Sequence, residues 1–269
     1  VLDHFPCEDV ILLNSNAGGN EHPITTEFVR WYSKNVHPVV EANAIIADLG
    51  GVGTRGGETM RRRERYRDDD PMTFADLAAI KGRFPSRKAQ FCTEYLKLAP
   101  QRRWVKENVT GLGHDIIRYS GVRRDESEKR KNTPDYKWDD YFDCYVYYPI
   151  ASWTKRQCFD FVKSRGERFN ELYLLGFSRV GCAPCFNSGK EDINQWATRF
   201  PEMIDKVRAW EHRVGRTFFA PCVPGKAINW VDEVVAWAKT TRGGRQIALP
   251  FAEAEAAGGS CSSKYGLCE

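Results

Sequence analysis

Nowhere in the 269 residues does an apolar run approach the length of a membrane span, which takes about 20 residues as a helix. A charged-then-apolar leader of the secretory kind is also missing, so a cytoplasmic protein with no membrane partner is expected. No internal repeat is visible, which argues against a solenoid of stacked copies. Net charge is small, only +4. An initiating methionine is lacking too: the chain starts at Val1, and residues 1–10 already read as the approach to a strand, so a segment is expected to be missing at the front.

What is present suits a globular protein. Hydrophobic residues make up 42% of the chain, enough for one large domain or one domain with a smaller appendage. The basic residues are clustered despite the modest net charge. Arg55, Arg61, Arg62, Arg63, Arg65 and Arg67 form one group, and Arg123, Arg124, Lys129, Arg130 and Lys131 a second. Such groups suit phosphate, sulfate or a nucleic-acid backbone. For the first group, a solvated loop offset by Asp68, Asp69 and Asp70 is the competing reading.

Nine cysteines without a secretory leader point to metal or redox chemistry more than to disulfides. Cys182 and Cys185 form a CxxC pair, Cys261 and Cys268 bracket the C-terminus, and Cys7, Cys92, Cys144, Cys158 and Cys222 stand alone.

Residues 10–13 are an aliphatic run that ends in a Gly-rich turn at Gly18 and Gly19, a strand delivered into a loop. A helix is expected over 25–35 and a second strand over 39–47. That order favours an α/β fold, a parallel sheet with helical crossovers. Residues 51–71 read as a long loop, and 74–80 as a helix capped by Thr73. A strand follows at 114–119, then a β-prone stretch at 145–149. Thr154 caps a helix to about 164 with Phe159, Phe161 and Val162 inward; 192–213 reads as a long helix interrupted or bent near Pro201, and 231–240 as another. The expected organisation is an α/β domain over 1–150, a mostly helical cysteine-bearing portion over 151–251, and a flexible cysteine tail over 252–269.

The sharpest local motif is Gly181-Cys182-Ala183-Pro184-Cys185. Two thiolates two residues apart can hold one metal from a single turn, and this spacing does not separate zinc from iron–sulfur. Cys92 is flanked by Arg87, Lys88 and Lys97, cations that favour a thiolate; the alternative is a cysteine packed as a small hydrophobe. Arg123 and Arg124, just past a strand end, can fork onto phosphate or sulfate oxygens. Asn16, Gly18, Gly19, Glu21 and His22 share that strand-end placement, although His22 reads equally well as a helix-entry histidine. The tail cysteines read as a frayed end or as a swinging arm that closes a metal site or presents a nucleophile.

Taken in order, these segments resemble the phosphoadenosine-phosphosulfate (PAPS) reductase family. Residues 19–25 (GNEHPIT) look like its "TG-x-E-h-P-x-T" segment, and 121–130 (GVRRDESEKR) like its "G-x-R-x-x-E-S-x-x-R" segment. Tyr148-Pro149-Ile150 with Trp153-Thr154 is similar to the stretch before its helical part, and 170–185 to "N-x-L-Y…G-f-x-r-x-G-C-x-x-C". The wording around Cys92 and the CSSKYGLCE ending look most like phage-borne members. The resemblance implies an enzyme of sulfur metabolism acting on an adenine nucleotide, PAPS or ATP. Asn16, Gly18, Gly19, Glu21, Arg123, Arg124, Glu126 and Arg130 would line its nucleotide site. It also implies a 4Fe-4S cluster, in preference to zinc, on Cys92, Cys182 and Cys185. Cys261 would be the fourth ligand, with Cys268 or Cys222 as substitutes, because Phe91 stands where the family has a second cysteine. In the reductases a C-terminal cysteine attacks the sulfonucleotide and a thioredoxin-type reductant regenerates it, which would give Cys268 that role beside Arg123 and Arg124. The family's S-G-G-x-D-S phosphate loop is not found and would lie before Val1. Two other readings stay open: an ATP-dependent sulfur transferase acting on nucleic acid, and a non-catalytic binding module with structural zinc.

Overall fold

The computed structural model describes residues 1–50 and 57–240. Along the chain, β1 (Leu12–Asn14), α1 (Pro23–Asn35) and β2 (Val39–Glu41) form a strand–helix–strand unit, with β1 and β2 neighbours in a two-stranded sheet. Then come α2 (Gly57–Arg63), α3 (Phe74–Lys81) and the single turn α4 (Phe91–Thr93), which runs through a π-helical turn, Glu94–Leu98, into α5 (Ala99–Asn108). β3 (Ile117–Tyr119), β4 (Tyr136–Asp139) and β5 (Cys144–Tyr147) make a second sheet in the order β3-β5-β4. The β3–β5 pair is parallel and the β4–β5 pair antiparallel. The rest is helical: α6 (Lys155–Ser164), α7 (Glu171–Leu174), α8 (Lys190–Arg199), α9 (Pro201–Val214) and α10 (Val231–Ala238). The fold class is therefore α/β, with a parallel strand pair, a helical crossover between β1 and β2, and a helical C-terminal portion.

The chain divides into two compact units that interleave in sequence. One holds residues 1–12 and 101–169; the other holds 13–100 and, within the described residues, 170–240. The second unit owns the large apolar core, built on Leu77, Leu172, Ile193, Val207, Phe218 and Val234. Its helices start where capping chemistry dictates. Thr73 accepts from the Asp76 N–H while Asp76 reaches back to the Thr73 N–H, a capping box that sets α3. Gly82 ends the helix in the left-handed region, at φ +67°. Glu211 is buried in α9 and accepts from the N–H groups of Phe218 (2.8 Å) and Val231 (2.9 Å). One carboxylate thus ties α9 to its following loop and to the start of α10.

Several expected boundaries shift. The second strand stops at Glu41: the Ala42 N–H still donates to Asn14 at the end of β1, but the Ala44 carbonyl accepts from the Met72 N–H instead. Ala47 and its neighbours form a 3₁₀ turn, Ile46–Leu49. The stretch expected as a long loop contains α2, whose Arg62 pairs with Glu58 one turn back at 2.8 Å. The interruption expected near Pro201 is present: α8 and α9 are separated at Phe200 (φ −138°, ψ 63°), because Pro201 opens α9 and disfavours a helical residue before it. In α6, Phe161 faces out at 44% exposure rather than inward.

At Gly18 the backbone sits at φ +66°, and an added Cβ would lie 2.6 Å from the Phe74 nitrogen. Gly18 is close because its carbonyl accepts from the Phe74 N–H at 3.0 Å. Gly19, at φ +71°, has open space instead. The left-handed conformation alone costs an alanine about 1–2 kcal/mol. Gly18→Ala is expected to cost visibly more than Gly19→Ala in urea unfolding, about 3 kcal/mol against about 1. Equal costs would mean that the approach to Phe74 is not retained in solution.

Candidate functional site

The Gly-rich turn after β1 and the CxxC loop are strapped together. Glu21 and Cys182 form an antiparallel bridge, the Ala183 N–H donates to the Asn20 carbonyl at 2.8 Å, and the Asn20 side-chain amide donates to the Pro184 carbonyl at 3.3 Å. Asn20 is only 1% exposed, so its amide is committed to the CxxC loop. Within the turn, Asn16 accepts from the Gly19 N–H through its side chain at 3.1 Å. The other end of the CxxC segment is held by Asp192, which accepts from the N–H and hydroxyl of Ser178 at 3.1 and 2.7 Å.

Into this frame the π-helical turn brings Cys92 and Lys97. In a regular α-helix, residues five apart point about 140° from one another. The extra residue of the π turn, closed by the Ala99 N–H on the Glu94 carbonyl, reduces that angle. Cys92, Cys182 and Cys185 then lie within electrostatic reach of one another. Burial pushes the Cys92 thiol up to about 12, with Cys182 and Cys185 adding to the shift and Lys97 opposing it. Burial and the neighbouring Cys182 also push the Cys185 thiol up. The expectation that flanking cations make Cys92 a thiolate is therefore corrected. Lys97 is the flanking cation that acts on it most, and desolvation outweighs it.

Lys97 answers the same charges. Its pKa is raised, chiefly by Cys182, with Glu21, Cys185 and Cys92 assisting against desolvation. Glu21 is raised by burial and held back by Lys97. Lys206, on α9, donates to the Gly19 carbonyl at 3.3 Å; burial lowers its pKa while Cys182 raises it. Two lysines thus sit beside Cys182: Lys97, which the sequence marked only as a cation flanking Cys92, and Lys206, which it did not mark. Lys97 had a signal, its place five residues after Cys92, which becomes legible once the π turn is known. Lys206 had none. His22 caps α1, accepting from the Ile24 N–H at 3.2 Å, and packs against Trp196 and Phe200. Its buried Nε2 has no hydrogen-bond partner among the described residues, and burial lowers its pKa. The helix-entry reading of His22 is the one its position fits.

Among the described residues, no group of three or more His, Cys, Asp or Glu side chains is disposed to hold a metal ion. Cys261 and Cys268 lie outside those residues. Cys222 is apart from the three thiols, and burial alone pushes it up to about 11.

Arg123, Arg124, Glu126 and Arg130 belong to the other unit. They follow the carboxyl end of β3, in two 3₁₀ turns. Arg123 pairs with Asp125 at 2.9 Å and Glu126 at 3.4 Å and hydrogen-bonds the Cys158 thiol. Arg124 donates to the Thr133 carbonyl at 2.8 Å and to Asp135 at 2.6 Å. Glu126 also pairs with Arg130. Both arginines are committed to internal partners. The first basic group is likewise offset by acids, Arg63 by Asp68 and Arg67 by Asp69 and Asp70.

The raised Cys92 thiol has a measurable consequence. Each pKa unit is tenfold in thiolate at a pH below both values. In metal-free protein at pH 8, alkylation of Cys92 by iodoacetamide is expected to run at least about 100-fold slower than that of the exposed Cys7, followed by peptide mass spectrometry. Comparable rates would overturn the burial argument.

Residues 69–188 match the family model described as the phosphoadenosine phosphosulfate reductase domain. An uncharacterized 37.8 kDa protein of Escherichia phage 186 is 30% identical over 93% of this chain and 87% of its own length. The adenosine 5'-phosphosulfate reductase of Streptomyces coelicolor is 42% identical over 31% of this chain and 35% of that enzyme. The Geobacillus kaustophilus enzyme of the same name is 29% identical over 43% and 57%. The match thus spans less than two thirds of either reductase. Among solved structures, the phosphoadenylyl-sulfate reductase of Candida auris, in a phosphate complex, superposes with a TM-score of 0.38 at 15% identity, over 68% of this chain and 84% of that one. With the CxxC segment and the Gly-rich turn both in place, the chain belongs to the phosphoadenosine phosphosulfate reductase family.

Proposed function

We propose that the protein reduces an adenine sulfonucleotide to sulfite. The observation that carries this reading is the convergence of Cys92 with Cys182 and Cys185, from segments ninety residues apart, beside Lys97 and under the Gly-rich turn. The donors are of the kind that ligate iron–sulfur clusters. Three of the four positions are assigned to them and the fourth to Cys261. A cluster bound there would supply a thiolate-ligated, redox-capable centre whose charge the neighbouring groups tune. Lys97 and Lys206 offset the negative charge that ionised thiols bring into a buried place, while Asn20 and Asp192 hold the CxxC loop in position. Asn16, Gly18, Gly19 and Glu21 are assigned to the nucleotide. For Arg123 and Arg124 the assignment is oxyanion binding, in which the incoming oxygens replace their present carboxylate partners.

The reduction itself is assigned to Cys268. Its thiolate attacks the sulfonyl sulfur, an S–S bond forms, and the bond from sulfur to the nucleotide oxygen breaks. The nucleotide phosphate leaves with the electron pair. A thioredoxin-type dithiol then attacks the Cys268 sulfur and expels sulfite. Its second thiol resolves the mixed disulfide, so one dithiol is oxidised as sulfur gains two electrons.

Two measurements test this. Protein purified without oxygen is expected to carry about four iron and four sulfide per chain, and Cys182→Ser to lose them. Adenylyl sulfate or its 3'-phosphate, with thioredoxin and its reductase, is expected to yield sulfite with matching NADPH oxidation, and Cys268→Ser to abolish it. About one zinc and no iron, or sulfite release that survives Cys268→Ser, would overturn the assignment.

A further inference from the structure

In the unit formed by residues 1–12 and 101–169, β5 alternates buried Cys144 and Val146 with exposed Tyr145 and Tyr147. The strand register sets Tyr147 between Tyr119 of β3 and Tyr136 of β4, and Tyr145 between Ile117 and Trp138. Because successive side chains of a strand point to opposite faces, these six residues share one face of the sheet. All are exposed, from 36% at Tyr147 to 57% at Tyr136 and Ile117. The opposite face carries Val146 and the Arg118–Asp139 ion pair.

The row Tyr119–Tyr147–Tyr136 is nearly coplanar in ring orientation. Its centroids are 5.8 and 5.3 Å apart, with interplanar angles of 27° and 23°. Phe5 extends it, 5.7 Å from Tyr119. Five of the six are aromatic, and Ile117 is the exception. Flat π-faces with polar rims are what unpaired bases stack on.

Charge completes the argument. β3 runs parallel to β5 and β4 antiparallel, so the tyrosine row lies at the end where β3 leaves the sheet and β4 enters it. The intervening residues, 120–135, carry the second basic group. Both ends of that loop are pinned to the row: the Ser120 N–H donates to the Tyr147 carbonyl at 2.9 Å, and the Tyr148 N–H to the Asp135 carbonyl at 2.8 Å. Lys129, Arg130 and Lys131 are exposed on it, with Arg130 paired to Glu126 and Lys131 to Glu128 at 3.2 Å, acids that a phosphate would displace. A basic loop beside an aromatic row matches a strand whose phosphates and bases are both accessible. We propose that this sheet face binds single-stranded nucleic acid, bases on the tyrosine row and phosphates along the 129–131 segment. A duplex hides its base faces and does not fit.

The test is fluorescence anisotropy with labelled oligothymidine and oligouridine of about 12 nucleotides, against a duplex of the same length, over a salt series. Single strands are expected to bind at least about tenfold tighter than the duplex, with affinity falling as salt rises. Tyr136→Leu with Tyr147→Leu keeps the apolar area but removes the rings, and is expected to weaken binding about tenfold or more. Trp138→Leu supplies a second, independent variant should the pair unfold by circular dichroism. Lys129→Gln with Lys131→Gln is expected to flatten the salt slope and keep the single-strand preference. No saturable binding at low salt, equal binding of duplex, or unchanged affinity in the leucine variants would overturn the proposal. So would sedimentation showing a dimer that the same variants dissociate, which would make the face a subunit contact.

Discussion

The Asn20 strap is what the candidate site depends on. The CxxC loop belongs to no helix or strand, so its shape must come from outside it. Asn20 supplies that twice, with its carbonyl to the Ala183 N–H and its side-chain amide to the Pro184 carbonyl. Each such bond is worth about 1 kcal/mol net, and leaving a buried donor unpaired costs more than making the bond gains. Asn20 can reach the loop only because the turn before it is fixed. Gly18 lies against the start of α3 with no room for a Cβ, and the Gly19 carbonyl accepts from Lys206 on α9. A glycine, an amide and a lysine from three places in the sequence thus set where Cys182 stands.

Much of the fold was legible because the signals were local. Thr73 and Thr154 cap the helices that their sequences announce. Pro201 marks the start of α9, and the apolar spacing of Val231, Val234 and Trp237 puts them on the buried face of α10. Local signals failed where hydrogen bonding is not local. The β-prone residues beyond Ala42 lose their strand to a backbone partner at Met72 and to the 3₁₀ turn Ile46–Leu49. The interleaving of the two compact units, with residues 101–169 set between halves of the other, has no mark in composition at either junction.

The same distinction runs through the site. CxxC spacing identifies two thiols, and the segment order adds Cys92. Whether a cation lowers a thiol's pKa, however, depends on distance and burial, and neither can be read along the chain. Of the cations near Cys92 in sequence, Lys97 acts on its charge most, through a π turn, and burial overrides it. Arg123 and Arg124 show the converse. The segment that suggested anion binding also contains Asp125, Glu126 and Asp135, and in the folded chain those acids take the guanidinium groups.

Magnitudes indicate what the three thiols require. Moving Cys92 from its ordinary 9.0 to about 12 makes its ionisation near neutral pH costlier by about 4 kcal/mol. Lys97 reduces that cost without cancelling it, as the direction of the shift shows. Burial and Cys182 likewise push the Cys185 thiol up. Direct coordination by a metal works on a larger scale, about 10–16 kcal/mol for structural zinc in small peptides, enough to deprotonate several buried thiols and leave a net gain. The lysines are then better understood as partners for the charge that remains after ligation than as the agents of ionisation. Half-buried cysteines beside half-buried lysines therefore favour the protonated thiol at Cys92 and Cys185 as long as nothing coordinates them.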